Sequence, residues 1–553
     1  MENFETLTLY NSVKTTAKKV RHNNAIIYQG KKISFAKFLK LVDKTADILI
    51  ENLHIEKGDV VIVSQPNIPN VLVLIYALNK IGAVINLVHP FTPFNQMKNI
   101  IIKTKTKYAF LFEQRVAKEV EKYREIADMV YVTRIEDYLP TFKKFIYHFM
   151  NKDIRKKLGR FRGKFTGFKY VYKLKKAKKH YPVKHDDVNE LSVLLHSGST
   201  TGDPKTICLC DRNFNFFVNR AYDITSLEEK DFYKSYFLSF LPSFHGFGFC
   251  VTMHTPLALG SGVILMPKFS AKELAKLLNH YRILVTGSVP TALEAMLKCP
   301  EFVNSKHLDR MGMVFCGGDT MSPTLEKRFN DTMAKGGSKC RVFEGYGLTE
   351  AVGANIVNTF KGHKTGSIGK PIKDVIVKIV DDNGKEVPVG QIGEIILQTG
   401  EMMLHYLDNE EGTKEAIRDG WLYTGDYGHV DEEGFVFFDQ RKKRVVKVSG
   451  VGVFPTEIER LIENIPGVEA ACAIEIPDPK LQAAIKVFVV AKYFDEEGMK
   501  EQILDTCRKY LIRWAVPKEI EFIKELPHTL LNKIDFKKLQ ELEDAKRGIK
   551  RKK

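Results

Sequence analysis

LSVLLHSGSTTGDPKTI, Leu191 to Ile207, runs from an apolar stretch into twelve residues that hold five hydroxyl side chains, two glycines and one lysine. The apolar part reads as a strand, and a helical pattern follows after Asp211-Arg212-Asn213, so the polar part reads as a strand-to-helix turn. Such a turn gathers backbone N–H groups, hydroxyls and an ammonium around one anion, of which phosphate is the natural guest. It is not a Walker loop, because Asp203 and Pro204 separate Gly202 from Lys205. Taken alone, the stretch is equally an ordinary polar surface loop.

Outward from it, short β-rich runs alternate with helical ones. AIIYQGKKISF (Ala25 to Phe35) reads as a hairpin about Gly30, followed by an amphipathic helix to about Leu53, the strand DVVIV, a helix over Asn70 to Lys80 and the strand AVINLV. The rhythm resumes with FLSFLP, GVILMP, ILVTG and MVFCGG, most of which end in glycine, proline or a hydroxyl-rich turn. Parallel βαβ units are expected, with ligands at the carboxyl ends of their strands. From Lys370 the segments shorten, with turns at Asn383-Gly384 and Glu433-Gly434, and a small barrel-like or antiparallel subdomain is expected. A further compact unit begins near Arg441. The expected architecture is α/β: an N-terminal domain over 1–440 of stacked α/β sheets, with a basic insertion at about 141–184 and the β-rich subdomain at about 370–440, then a small mobile α+β domain over 441–553.

A length of 553 residues excludes a single core. No run approaches a membrane span and the start, MENFETLTLYNSVKTTAKKV, lacks a signal-peptide pattern, so a cytoplasmic protein is expected. The eight cysteines include no C-x-x-C pair and read as reduced and mostly buried. The net charge of +18 is concentrated: Thr141 to Lys184 holds sixteen Lys and Arg against one acid, Asp153, with ten aromatic residues among them. That composition suits peripheral contact with an anionic membrane at its inner surface, and equally a solvated insertion. No nucleic-acid-binding pattern accompanies it, so no nucleic acid partner is expected.

Six further motifs stand in order: LPSFHGFG (Leu241 to Gly248), FCGGD (Phe315 to Asp319), EGYGLTE (Glu344 to Glu350), YTGD (Tyr423 to Asp426), QRKKRVVKVSGVGVFPTEIE (Gln440 to Glu459) and PKEIEFIKELPHTLLNKIDFKKL (Pro517 to Leu539). In order and spacing they resemble the adenylate-forming superfamily of acyl-CoA synthetases, over essentially the whole chain. The resemblance implies ATP, Mg²⁺ and CoA as cofactors. A carboxylate attacks the α-phosphorus of ATP to give acyl-AMP and pyrophosphate, and a thiol then displaces AMP.

By that resemblance, Ser197, Gly198, Ser199, Thr200, Thr201, Gly202 and Lys205 hold the outer phosphates, with Gly317, Gly318 and Asp319 also at the nucleotide. Thr349 contacts the α-phosphate and Glu350 helps hold the metal. Tyr346, between Gly345 and Gly347, stacks on adenine, the two glycines allowing close approach of a flat ligand. Asp426 accepts the ribose hydroxyls, a task suited to a carboxylate with two acceptor oxygens. Arg441 reaches ribose or phosphate. Lys533 bridges the substrate carboxylate and the α-phosphate, with Lys537 and Lys538 as lesser alternatives. Lys443 is the hinge about which the C-terminal domain turns, bringing Lys447 and Gly450 to the thiol substrate. Departures from the family pattern are Ser199, Thr206, Asn532 and Phe536.

His245 corresponds to the acyl-pocket position. It follows Phe244 where amino-acid-activating relatives carry an Asp, so a pocket without a buried acid rejects an ammonium group. A fatty acid is expected, an aryl acid being the alternative, and a carrier-protein phosphopantetheine is the alternative acceptor. Gly246, Gly248, Ala351 and Gly353 are expected to leave room for a chain, or to be packing residues.

Overall fold

The computed structural model describes residues 2–159, 177–197, 205–449, 451–492, 495–528 and 534–549. Along the chain come β1 (Asn24–Tyr28), β2 (Lys31–Ser34), β3 (Val60–Ser64), β4 (Val84–Leu87), β5 (Tyr108–Phe112), β6 (Val130–Thr133), β7 (Leu191–His196) and β8 (Thr206–Cys210). They are followed by β9 (Tyr236–Ser239), β10 (Gly262–Leu265), β11 (Ile283–Ser288), β12 (Met311–Cys316), β13 (Val342–Tyr346), β14 (Ile356–Val357) and β15 (Lys370–Pro371). The helix Phe35–Leu53 starts on a Ser34 side-chain cap, and the helix Pro69–Ile81 stops at Gly82 in the left-handed conformation.

Two large sheets result. One runs β15-β14-β13-β12-β11-β9-β10-β1-β2 and is parallel from β13 to β1. The other contains β8-β7-β4-β3-β5-β6 with the short strand His405–Tyr406 on the edge beside β8, and is parallel from β7 to β6. The hairpin β1–β2 turns through Gln29 and Gly30, both at positive φ. Its first strand pairs with β10 of the first sheet rather than with its chain neighbour β3. Every residue of the helix Pro69–Ile81 is buried, including Asn70, Asn79 and Lys80. An all-round apolar helix of this kind belongs between layers, and it packs in one cluster with Ile26 and Tyr28 of β1 and Val61 and Val63 of β3.

Lys370–Pro371 still belongs to the first sheet. The separate antiparallel sheet is built from β16 (Ile376–Val380), β17 (Gly393–Gln398), β19 (Ile417–Arg418), β20 (Trp421–Val430) and β21 (Val436–Arg441), whereas β18 (His405–Tyr406) is the edge strand beside β8. The turns at Gly384 and Gly434 both carry positive φ. Beyond Arg441 lie the hairpin Val446–Val448 and Val451–Val453, the helix Pro455–Glu463, a three-stranded sheet, and the helices Glu496–Tyr510 and Phe536–Lys546. This last part has its own core around Ile458, Ile462, Ile485 and Ile503.

The stretch that opened the sequence reading requires one correction. Thr206–Cys210 is a strand, antiparallel to β7, and the helix Asp211–Thr225 starts only after it. The hydroxyl and glycine loop is therefore a hairpin loop rather than a strand-to-helix turn. TICLC, buried at all five positions, extends because its apolar side chains fill the sheet interior.

Candidate active site

The carboxyl ends of β12 and β13, with Phe237 of β9 and Val285 of β11, line one narrow cavity of about 60 Å³. It is lined by His245, Gly317, Gly318, Gly345, Tyr346, Gly347 and Thr349, and by the apolar side chains Phe217, Ala221, Ile224 and Phe237. Three separate motifs, LPSFHGFG, FCGGD and EGYGLTE, thus meet where an open α/β sheet places a ligand.

Tyr346, the last residue of β13, donates its hydroxyl to Asp426 Oδ2 at 2.7 Å. Its ring stacks beside Phe438 at 6.4 Å between centroids. Asp426 stands opposite Arg441 in the β20–β21 register, and Arg441 Nε lies 3.6 Å from Asp426 Oδ1. The antiparallel subdomain therefore supplies the acid and the arginine, while the large sheet supplies the aromatic ring. Asp426 is buried and Arg441 exposed, which leaves the guanidinium able to move toward a ligand.

On the other side, Glu350 Oε1 accepts from Tyr406 Oη at 2.8 Å, and Met403 N–H donates to the Glu350 carbonyl at 2.7 Å. Lys205 Nζ rests 4.2 Å from the centre of the Tyr406 ring. One tyrosine, on the edge strand paired with β8, thus joins the lysine of the hydroxyl loop to the carboxylate of EGYGLTE. Burial, reinforced by the Glu350 charge, pushes its phenol well up, so it remains a donor. No reading of the sequence singles out Tyr406; the one signal is its place in LHYLDN, outside every motif.

Ser197 and Lys205 close the loop between them: Ser197 N–H donates to the Lys205 carbonyl at 3.0 Å, and Lys205 N–H donates to Ser197 Oγ at 3.1 Å. The Ser197 hydroxyl keeps its own proton for a phosphate. Gly198, Ser199, Thr200, Thr201, Gly202, Gly450 and Lys533 lie outside the described residues. Thr206, at the start of β8, lies 3.3 Å from His196 Nδ1. His196 is neutral, burial holding it down to about 4. Asp319 is exposed at the rim and accepts from Thr320 N–H.

Of the two expectations for the small residues, room for a chain or packing, their contacts favour packing. A side chain at Gly246 would meet the Val352 carbonyl at 2.4 Å, at Gly248 the Pro242 carbonyl at 2.0 Å, and at Gly353 the Glu401 carboxylate at 2.0 Å. Ala351 is fully buried in a separate cluster. Gly347 likewise faces the Gly353 carbonyl at 2.2 Å, and Gly345 faces Val357 at 3.0 Å. At these positions the missing side chain makes room for other parts of the protein, while Gly246, Gly345, Gly347 and Gly353 also line the cavity.

Magnesium fits this donor set. Among the described residues no group of three or more His, Cys, Asp or Glu side chains forms a metal cage. A hard cation held by one carboxylate and completed by phosphate oxygens is the usual arrangement for Mg²⁺, and Glu350 offers that carboxylate beside Thr349.

Lys443 lies within the single turn Lys442–Arg444. Lys442 Nζ holds Glu394 of β17 at 3.1 Å, whereas Arg444 Nη1 holds Glu459 of the helix Pro455–Glu463 at 2.9 Å. The two sides of the turn are thus tied to different parts of the molecule. Arg444 also lies 4.6 Å over the ring of Phe536. Lys447 is exposed on the hairpin that follows.

Comparison with known proteins agrees with this geometry. The profile of AMP-binding enzymes matches residues 13–407, and that of the AMP-binding enzyme C-terminal domain matches residues 457–533. A long-chain-fatty-acid–CoA ligase of Bacillus subtilis is 28% identical, over 98% of this chain and 96% of its own. One from Escherichia coli O6:H1 is 30% identical, over 95% and 92%. Among solved structures, the anthranilate CoA ligase AuaEII in complex with anthranoyl-AMP superposes with a TM-score of 0.82 at 20% identity, covering 98% of both chains. A Mycobacterium tuberculosis fatty acyl CoA synthetase gives 0.72 at 23% identity, covering 98% of this chain and 99% of its own. The chain belongs to the AMP-binding enzyme family.

Proposed function

We propose that the protein is an acid–thiol ligase that joins a fatty acid to CoA through an acyl-AMP intermediate at the expense of ATP. The observation that carries this reading is a single cavity lined both by the apolar side chains Phe217, Ala221, Ile224 and Phe237 and by His245, Tyr346, Thr349 and the glycine turns of the motifs. A hydrocarbon chain and a nucleotide thus have adjoining places, with the carboxylate between them near His245. The two relatives named above support a long-chain acid.

Each residue has a task that its chemistry suits. Lys205 and Ser197 offset the charge of the departing pyrophosphate, Thr349 donates to the α-phosphate, and the Tyr346–Asp426 pair orients adenosine by stacking and by accepting ribose hydroxyls. Bound Mg²⁺ on Glu350 would neutralise phosphate charge. Lys533 offsets repulsion between the carboxylate and the α-phosphate, and Arg441 swings in on the nucleotide. Rotation about Lys443 then removes Lys533 and presents Lys447 and Gly450 to CoA, a side chain at Gly450 being an obstruction. Residues 1–440 and 441–553 are the two moving parts. The basic insertion at 141–184 is a peripheral contact with an anionic membrane surface.

A panel of carboxylic acids of rising chain length, incubated with ATP and either CoA or a phosphopantetheinylated carrier protein and analysed by mass spectrometry, tests the reading. Acyl-CoA from long acids is expected. Product on the carrier alone would make the protein an acyl-AMP ligase, and product only from aryl acids would remove the fatty-acid assignment.

A further inference from the structure

The helix Thr141–Met150, TFKKFIYHFM, is amphipathic in the wrong sense for a soluble protein. At about 100° per residue, Phe142, Phe145, Ile146, Phe149 and Met150 share an arc of roughly 140°, and all five are exposed: Phe142 at 75%, Phe145 at 63%, Phe149 at 50% and Met150 at 80%. None of the helix's residues is buried. The flank next to Met150 holds it to the body. Tyr147 Oη donates to Glu113 Oε1 at 2.8 Å, and Lys143 Nζ donates to Gln29 Oε1 at 2.7 Å in the β1–β2 turn.

The neighbouring helix Lys152–Gly159 is oriented in the ordinary way. Leu158 is buried and Ile154 packs against the same cluster, while Lys152, Lys156 and Lys157 face outward. Two adjacent helices on one surface thus present apolar side chains from one and ammonium groups from the other. Lys152 Nζ sits 4.4 Å from the centre of the Phe149 ring, at the seam between them. The first helix carries no acid, and the surrounding segment 141–184 carries one acid against sixteen basic residues. Aromatic rings ringed by excess positive charge are complementary to an anionic lipid surface, whose acyl boundary takes the rings and whose headgroups take the lysines. A protein partner of ordinary composition meets the rings but not the charge.

The patch also leads inward. Phe91, 50% exposed, packs edge-on to Phe112 at 5.7 Å, next to the Glu113 that Tyr147 holds. Phe91 neighbours His89 at 6.0 Å, and His89 packs on Phe244 at 4.7 Å, one residue before the cavity-lining His245.

We propose that the outward face of the helix Thr141–Met150, extended by Phe91, inserts into an anionic lipid bilayer and there takes up bilayer-held acid. The docking half stands on this surface alone; the uptake half rests on the fatty-acid ligase reading.

The full chain is sedimented with vesicles of phosphatidylcholine alone and of phosphatidylcholine with phosphatidylglycerol, beside the variant Phe142→Ser/Phe145→Ser/Phe149→Ser. The wild type is expected to sediment with the anionic vesicles, less so at high salt, and the variant to lose partitioning roughly ten-fold or more. With a long acid held in those vesicles the variant's KM for acid should rise by a similar factor, whereas ligation of a short water-soluble acid should stay as in wild type. Equal sedimentation of both proteins, or equal wild-type partitioning into neutral vesicles, overturns the proposal. So does a wild-type dimer that the variant converts to monomer, since the face is then a self-interface. Should the triple variant not fold, Phe142→Trp reports directly: a blue shift of its fluorescence on adding anionic vesicles supports insertion, and no shift refutes it. Absence of ligation with every acid, together with normal vesicle binding, refutes the ligase reading and leaves the docking surface standing.

Discussion

Ala221 lies on the helix Asp211–Thr225 and forms part of the apolar wall of the cavity, with Ile224 and Phe217 beside it. Replacing it with phenylalanine should shorten the acyl site without touching the nucleotide end. A phenyl ring takes the room of roughly three methylene groups of a bound chain, each worth about 0.8 kcal/mol on burial. A long acid therefore loses about 2.4 kcal/mol of transition-state binding, close to 60-fold in kcat/KM. Acids too short to reach Ala221 should be ligated as fast as by the wild type. The assay is acyl-CoA formation over a series of saturated acids, with kcat/KM plotted against chain length for both proteins. The account requires the two curves to coincide for short acids and separate beyond a definite length. A uniform drop would indicate general damage to the helix, and superimposed curves would show that the chain lies elsewhere; either refutes the placement.

Tyr406→Phe keeps the ring under Lys205 and removes the hydrogen bond to Glu350. The bond reaches a charged acceptor and is worth about 1.5–3 kcal/mol, so the half-saturating Mg²⁺ concentration should rise about ten-fold or more while KM for the acid stays constant, both read from initial rates. Glu344 is buried, which pushes its carboxyl up to about 7 although Met321 N–H donates to it at 3.1 Å. Its folded pKa exceeds the unfolded value, so this position is unpenalised below about pH 4.5 and loses stability as pH rises toward 7, by at most about 3 kcal/mol. Glu344→Gln should accordingly raise Tm at pH 8 and change it little at pH 4.5, as measured by scanning calorimetry; equal changes at both values would contradict the burial argument.

Much of the fold was legible because it rests on local patterns. The β1–β2 hairpin follows from Gln29-Gly30, the end of the helix Pro69–Ile81 from Gly82, and the cavity floor from apolar runs that stop at glycine or proline. What the local pattern does not encode is which layer a strand joins: β1 reaches across to β10, a choice made by packing against a helix buried on all sides. The alternation in Cys208-Leu209-Cys210 suits a strand, but it does not say that this strand folds back on β7 and makes the polar loop a hairpin, which burial of all five residues of TICLC decides. The same limit applies to the site. Tyr346, Thr349 and His245 were readable as motif members that the structure brings to one cavity. Tyr406 matters through two contacts across the molecule, and spacing along the chain does not report those. Gly246 and Gly353 read equally as room for substrate or as packing, and only their closeness to Val352 and Glu401, distant in the chain, favours packing.

The central claim is that a carboxylic acid displaces pyrophosphate from ATP in this cavity, with charge control from Lys205 on the near side and Lys533 from the C-terminal tail. Exchange of labelled pyrophosphate into ATP measures that step alone, without CoA. The account predicts exchange that depends strictly on added long-chain acid and is abolished in Lys533→Ala while ATP binding persists. Exchange without any acid, or undiminished exchange in the variant, would contradict it.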